Sequence, residues 1–272
     1  MNKKFIVFLS SRKSWTLPYI IFSAIFVIIP LFLIVVYAFT DDSGHLTLAN
    51  FQKFFEHPEA INTFVYSIGI AIITTLVCIL LGYPAAWILS NSKLNRSRTM
   101  VVLFILPMWV NILVRTLATV ALFDFFSVPL GEGALIFGMV YNFIPFMILQ
   151  IESSLAKMDK SLLEAANDLG ANRFQRFKNI TFPLSLPGVV SGITLVFLPS
   201  VSSFVIPKLM GGGGYMMIGN VIENQFITVG EWNFGSAISM IMAVIIMISM
   251  YITRRLDKGD DTVRARKGGN VQ

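Results

Sequence analysis

The sequence predicts an all-α, polytopic membrane protein, and three observations carry that expectation. Of its 272 residues, 55% are hydrophobic and only 13% are charged, against about 25% charged in an average soluble domain. Six apolar runs approach or exceed the roughly 20 residues needed to cross a bilayer. The basic residues gather in alternate connectors between those runs.

The runs are Leu17–Phe39, Phe64–Ser90, Met100–Phe123, Ala134–Ile151, Leu184–Ile206 and Phe234–Ile252, the fourth being the shortest. Lys3, Lys4, Arg12 and Lys13 precede the first, as in a signal peptide. Its apolar core is too long for one and no small-residue cleavage site follows, so it reads as an uncleaved span. Lys93, Arg96 and Arg98 lie in the second connector, and Lys157, Lys160, Arg173, Arg176 and Lys178 in the fourth. Arg254, Arg255, Lys258, Arg264, Arg266 and Lys267 follow the last run. Of the 21 basic residues only Lys53, Lys208 and Arg115 fall elsewhere. Positive charge stays on the cytoplasmic side, so six spans with both termini in the cytoplasm are expected. Residues 1–16 become a cytoplasmic segment, 17–253 a transmembrane domain with a cytoplasmic loop at 152–183, and 254–272 a cytoplasmic tail.

Several prolines fall within the runs. Gly82-Tyr83-Pro84 is expected to interrupt the second, Pro107 the third, Pro145 the fourth, and Pro199 and Pro207 the fifth. Each removes a backbone hydrogen bond that lipid cannot replace. For any single proline a packing kink is the plainer reading. Gly188 and Gly192 form a G-x-x-x-G that permits close helix approach.

The net charge of +6 does not indicate a nucleic-acid partner, because the basic residues sit at the ends of apolar runs. A lone cysteine, Cys78, excludes a disulfide framework and reads as a small buried hydrophobe. No G-x-x-x-x-G-K-[ST] occurs, so the chain lacks an ATP-binding P-loop. Gly211–Gly214 reads as a flexible external loop, and His45 and His57 as solvated residues. With no catalytic constellation, the chain is not expected to be an enzyme, nor to bind a metal or cofactor itself.

The most informative stretch is Glu164-Ala165-Ala166-Asn167-Asp168-Leu169-Gly170, in the polar loop before the fifth run. Ser161 and Glu164 have capping-box spacing. Leu155, Leu162, Leu163, Ala166 and Leu169 recur at roughly helical period, predicting one apolar face. Gly170 supplies a stop, since glycine adopts the left-handed conformation without steric cost. Phe174, Phe177 and Ile180, with Arg173, Arg176 and Lys178 between them, predict a second, basic-aromatic helix after a sharp break.

Glu164-Ala165-Ala166, Gly170, Ile180 and Pro183 resemble, in identity and spacing, the EAA motif of bacterial ATP-binding-cassette importer permeases; Phe182 stands where leucine is usual. From Asn62 to Met250 the chain is also similar to the spermidine/putrescine branch. The matching segments are Leu81-Gly82-Tyr83-Pro84 with Trp87, Leu106-Pro107-x-Trp109 with Val114-Arg115-Thr116, and Pro183-Leu184-Ser185-x-Pro187-Gly188. Leu209-Met210-Gly211-Gly212, Ile218-Gly219-Asn220, Gln225-Phe226 and Trp232-x-Phe234-Gly235 match too. The segment near Asp124–Gly133 is shorter than the branch leads one to expect.

The resemblance implies a type I importer permease in the bacterial cytoplasmic membrane, moving a polyamine inward by alternating access. It implies a second, homologous permease, a dimeric ATPase that holds the ATP and Mg, and an extracytoplasmic polyamine-binding protein. Glu164, Ala165, Ala166, Asp168, Gly170, Arg173, Ile180 and Pro183 would couple the chain to the ATPase. A flexible polycation calls for aromatic faces and carboxylates along its path, which makes Trp109, Tyr141, Glu223 and Trp232 candidates. Arg115 is the only ionised group well inside a run. A charge there costs at least ~2.5–3.5 kcal/mol, so it should face protein or water. Iron(III), thiamine or an oxyanion are alternative solutes, and an anion would favour Arg115 as a binding group. A channel or sensor subunit, needing no ATPase, is the alternative of another class.

Overall fold

The computed structural model describes residues 16–91 and 99–268. Lys3, Lys4, Arg12, Lys13, Lys93, Arg96 and Arg98, on which part of the predicted orientation rests, lie outside the described residues. The described chain is helical, and its one β-bridge joins Thr40 to Leu46. Five helices are long and apolar enough to cross a membrane, and six spans result if one bent pair counts as a single crossing.

The chain divides into two compact units. One holds the described residues up to Pro58 with Ile222–Val244; the other holds Glu59–Val221 and the residues from Ile245 on. In the first unit, α1 (Pro18–Ala38) presents its apolar side chains outward along nearly its whole length. A short helix α2 (Ala49–Glu56) follows. Its Lys53 pairs with Glu231 and lies over the Phe234 ring at 4.6 Å.

The second unit is assembled around α6 (Glu132–Ala156). Leu135, Met139, Met147 and Ile151 on this helix are completely buried. Its main partner is α8 (Arg173–Val201). Lipid supplies no hydrophobic drive for helices to associate, so close packing has to supply the attraction. Glycines do this here. A Cβ on Gly188 would lie 2.6 Å from the Gln150 carbonyl oxygen and 2.5 Å from the Ser154 Cβ, and one on Gly192 would meet Met147 Sδ at 2.5 Å. The predicted G-x-x-x-G is therefore the contact face of α8. Helix α3 (Pro58–Asn91) joins through Gly82, whose Cβ would meet Met147 at 3.1 Å.

The third run does not form one straight helix. Helix α4 (Thr99–Trp109) and helix α5 (Ile112–Phe125) meet at 92°. Pro107 closes α4 in a 3₁₀ turn, Val110 is extended, and Asn111 restarts the helix by accepting from the Leu113 amide at 2.8 Å. Of the prolines expected to interrupt their runs, Pro84 and Pro145 do not. Pro84, Pro145, Pro187 and Pro199 are all accommodated inside continuous helix. Helix α6 also runs five residues past Ile151, so Glu152 is a buried helical residue and not the start of a polar loop. The fifth run ends at Val201 and resumes as α9 (Val205–Met210).

Gly211–Gly214 forms a built turn, not a loose loop. The Gly211 amide donates to the Pro207 carbonyl at 2.9 Å, and Gly212 (φ +61°) sits against the Leu130 carbonyl. Cys78 is buried as expected.

Replacing Gly188 by valine forces a side chain into the α6 backbone. We expect the unfolding midpoint of the detergent-purified protein to drop, reflecting about 1–3 kcal/mol of overpacking. Gly69→Ala, whose Cβ meets nothing within 4 Å, should leave the midpoint in place; equal effects would rule out the packing role of Gly188.

Candidate functional site

The segment between the ends of α6 and α8 carries a third helix, α7 (Lys160–Asp168). Its start differs from the predicted Ser161–Glu164 capping box. Asp159 is the N-cap, and its carboxylate accepts from the Ser161 amide at 2.9 Å. Aspartate one residue before the helix reaches that orphan donor, whereas Ser161 already lies inside the first turn. The same bond holds the exposed Asp159 carboxyl below its ordinary 3.8. The group's folded-state value is depressed, so its stabilisation is full above the ordinary value and is lost only as pH falls through the lower one.

Helix α7 ends as predicted. Gly170 adopts φ +77°, and the Gly170 and Ala171 amides return to the Asn167 and Ala166 carbonyls at 2.9 and 3.0 Å. Nothing lies within 4 Å of a Cβ at this position, so only backbone conformation demands glycine. The predicted apolar face is divided. Ala166 is buried, but Leu169 is 88% exposed and Leu162 45% exposed. Glu164, Ala165 and Asp168 are exposed.

The capping box stands at the next helix instead. Asn172 accepts from the Gln175 amide at 2.8 Å and Gln175 accepts from the Asn172 amide at 2.9 Å. The N-x-x-Q spacing was a readable signal that sequence reasoning missed. The basic-aromatic segment is not a separate helix. It is the first part of α8, continuous with the fifth span through a π turn at Phe177–Thr181. Pro183 has no amide proton to donate, and the wide turn just before it absorbs the interrupted register. Arg173 is exposed at the first position of α8 and Ile180 is half-buried.

Two cavities flank α7. One, of about 400 Å³, is lined by Gln150, Ser153, Asp159, Leu162 and Ser191 among others. The other, of about 800 Å³, opens between Trp87, Leu163, Arg173, Phe174 and Arg176.

Of the path candidates, the structure brings together Arg115 and Tyr141: the guanidinium carbon lies 5.9 Å from the ring centroid. Arg115 is 8% exposed, and its Nε and Nη1 are buried without a hydrogen-bond partner. Trp109 is 84% exposed at the end of α4. Glu223 and Trp232 belong to the first unit, where Glu223 is half-buried on Ile218–Asn224 and Trp232 packs against Phe226 at 5.5 Å and Tyr37 at 6.2 Å.

Membrane-length helices joined by a polar, helix-bearing connector define a polytopic membrane protein. Residues 78–259 match the family model for the binding-protein-dependent transport system inner membrane component, and the chain belongs to that family. It is a multi-pass protein of the bacterial cytoplasmic membrane. The chain is 34% identical to the spermidine/putrescine transport system permease protein PotB of Escherichia coli (strain K12), over 86% of this chain and 93% of that protein. It is 34% identical to the Haemophilus influenzae protein of the same name, over 86% and 89%. Its fold is that of a chain in a bacterial ABC transporter involved in alginate import, with a TM-score of 0.69 at 14% identity over 89% of this chain and 94% of that one.

Removing the Asn172 side chain should weaken the start of α8 by about 0.5–2 kcal/mol. The measurement is hydrogen exchange of the 173–177 amides in the purified protein, which should quicken in Asn172→Ala. Unchanged exchange would show that the capping box does not hold this turn.

Proposed function

We propose that this chain is the membrane-spanning subunit of an ATP-driven polyamine importer and that α7 is where a separate ATPase drives it. The exposed helix α7, fixed at both ends by Asp159 and Gly170, carries this reading. The 34% identity to spermidine/putrescine permeases over most of the chain supports the substrate class. The basic residues of the connector support a cytoplasmic position.

The partners in this reading are a second, homologous permease, two copies of an ATP-binding-cassette ATPase that holds the ATP and Mg, and an extracytoplasmic polyamine-binding protein. The solved alginate transporter was crystallised with a substrate-bound periplasmic protein, an arrangement of the kind proposed. This chain does no chemistry on its solute; hydrolysis belongs to the ATPase.

Mechanically, the ATPase closes on ATP and pulls α7, which hangs between α6 and α8. Both helices then tilt about their glycine crossing, and access alternates from one side to the other. Leu169 and Leu162 offer the ATPase an apolar patch. Glu164, exposed and without a described partner, is free to pair with a basic residue there. Ala165 lets the ATPase surface approach, while Ala166 packs α7 inward.

A second reading rests on Arg115. A buried guanidinium whose Nε and Nη1 have no hydrogen-bond partner suits an oxyanion better than a polycation, so the related importer of an anion is the competing assignment. Uptake of labelled spermidine blocked by putrescine and indifferent to sulfate would favour the first reading; the reverse pattern would favour the second.

Gly170→Val should strain the left-handed turn and misplace α7. With strain of about 1–3 kcal/mol, uptake should fall at least ~fivefold while the assembled importer still hydrolyses ATP and reaches the membrane in normal amount. Gly170→Asn, which tolerates the conformation, should retain most uptake. Wild-type uptake in the valine variant would remove Gly170 from the coupling role. Separately, Glu223→Gln should weaken spermidine uptake; an unaltered rate excludes that carboxylate from the path.

A further inference from the structure

The larger cavity beside α7 is not used by the mechanism above, and its lining has a distinct chemistry. Arg173 and Arg176 stand on one side; Tyr83, Pro84, Trp87, Phe174 and Phe177 form an apolar and aromatic wall; Leu163 of α7 closes it. Its volume of about 800 Å³ falls in the range of small-molecule pockets, about 300–1,000 Å³. The wall is preformed: Tyr83 meets Phe177 edge-on at 5.7 Å, and its hydroxyl is hydrogen-bonded to Ser185 Oγ at 2.8 Å. Trp87 is nevertheless 45% exposed and Phe174 70% exposed, so the aromatic surface has no cover from this chain.

Position relative to the bilayer narrows the occupant. Helix α8 has 29 residues and so spans about 43 Å. That matches a bilayer with its headgroup layers, about 40–45 Å, and not the ~30 Å hydrocarbon core alone. Length alone does not place the helix, but the cavity shares its lining with Trp87, in the last turn of the apolar run that ends at Ser90, which brings Arg173 and Arg176 next to the membrane interface. Half-exposed tryptophan and phenylalanine suit the same level. Arg176 Nη1 donates to Asn167 Oδ1 at 3.2 Å, which orients the guanidinium while leaving its other donors available. Arg173 has no described partner. Two guanidinium forks match phosphate oxygens, and basic pockets between transmembrane helices at the cytoplasmic face bind anionic lipid headgroups.

We propose that this cavity binds one anionic phospholipid, its phosphate held by Arg173 and Arg176 and its upper acyl chains lying along Trp87, Pro84 and Phe177. A free anion would leave the aromatic wall wet, which is why a lipid is the occupant. Since Leu163 lines the cavity and Asn167 of α7 is tied to Arg176, the bound lipid braces α7 against α3 and α8. The proposal needs the α7 end of the bundle at a membrane surface, but it does not depend on which solute is carried.

The test uses the complete importer, purified with its partner chains and exchanged into bilayers of equal phosphatidylglycerol and phosphatidylcholine with identical acyl chains. Native mass spectrometry should show phosphatidylglycerol retained in preference, and millimolar inorganic phosphate should not displace it. The Arg173→Gln/Arg176→Gln double variant should lower that preference about thirtyfold. In the wild-type complex, a photoactivatable phosphatidylglycerol should label the segments around Tyr83–Trp87 and Arg173–Phe177, which needs no variant to fold. Equal retention of the two lipids, displacement by inorganic phosphate, an unchanged preference in the double variant, or an ATPase cross-link at Phe174 in place of lipid would each overturn the proposal. If the wild-type complex still couples ATP hydrolysis to uptake, any of those results refutes the lipid site and leaves the transport reading standing.

Discussion

The close crossing of α6 and α8 is the constraint on which the rest of the second unit depends. Gly188 lets the two backbones approach until an added methyl group would collide with the Gln150 carbonyl, and at Gly192 such a group would displace the Met147 side chain. In lipid this contact cannot be replaced by hydrophobic burial, because the solvent is as apolar as the side chains. It fixes the positions of Ala156 and Arg173, the two points from which the intervening segment hangs. Any force applied to that segment is transmitted to a rigid helix pair and not dissipated in a flexible connector.

Within the segment, three short-range devices set the geometry, each satisfying backbone groups that a helix end leaves unpaired. Asp159 caps the start of α7, the left-handed Gly170 closes its end, and the Asn172–Gln175 box begins α8. None relies on burial. The helix can thus remain exposed and still hold one shape, which a docking element requires.

The sequence made legible whatever depends on local pattern. Run lengths located the helices, Gly170 marked a stop, and the G-x-x-x-G identified the packing face of α8. It was less informative where geometry competes with pattern. Hydropathy across Met100–Phe123 is continuous, yet Pro107 and the Asn111 cap divide the run, because a cap restarts a helix in a new direction without changing composition. Pro84 and Pro145 carry the same breaking signal and break nothing, and only Pro145 of the two is buried. Ser161 lost the capping position to Asp159 by two residues, a distance that spacing rules do not resolve. The site was read residue by residue from resemblance. The pairing of Arg115 with Tyr141 and the arginine-lined cavity depend on contacts between segments distant in sequence, and no periodicity encodes those.

The hydroxyl groups show which polar atoms are merely packed. Thr75, Thr116, Thr119, Ser191, Thr194 and Ser200 each donate to the carbonyl four residues earlier, so a membrane helix absorbs them with no outside partner. Thr74 on α3, Arg115 on α5 and the Asn142 carbonyl oxygen on α6 have no such solution. Leaving a buried polar atom unsatisfied costs about 1–3 kcal/mol, and these belong to three helices of one unit. Pro107 ends α4 while Pro84 and Pro145 sit inside helices, and the unpartnered polar side-chain atoms are the ones whose chemistry calls for water or a passing solute.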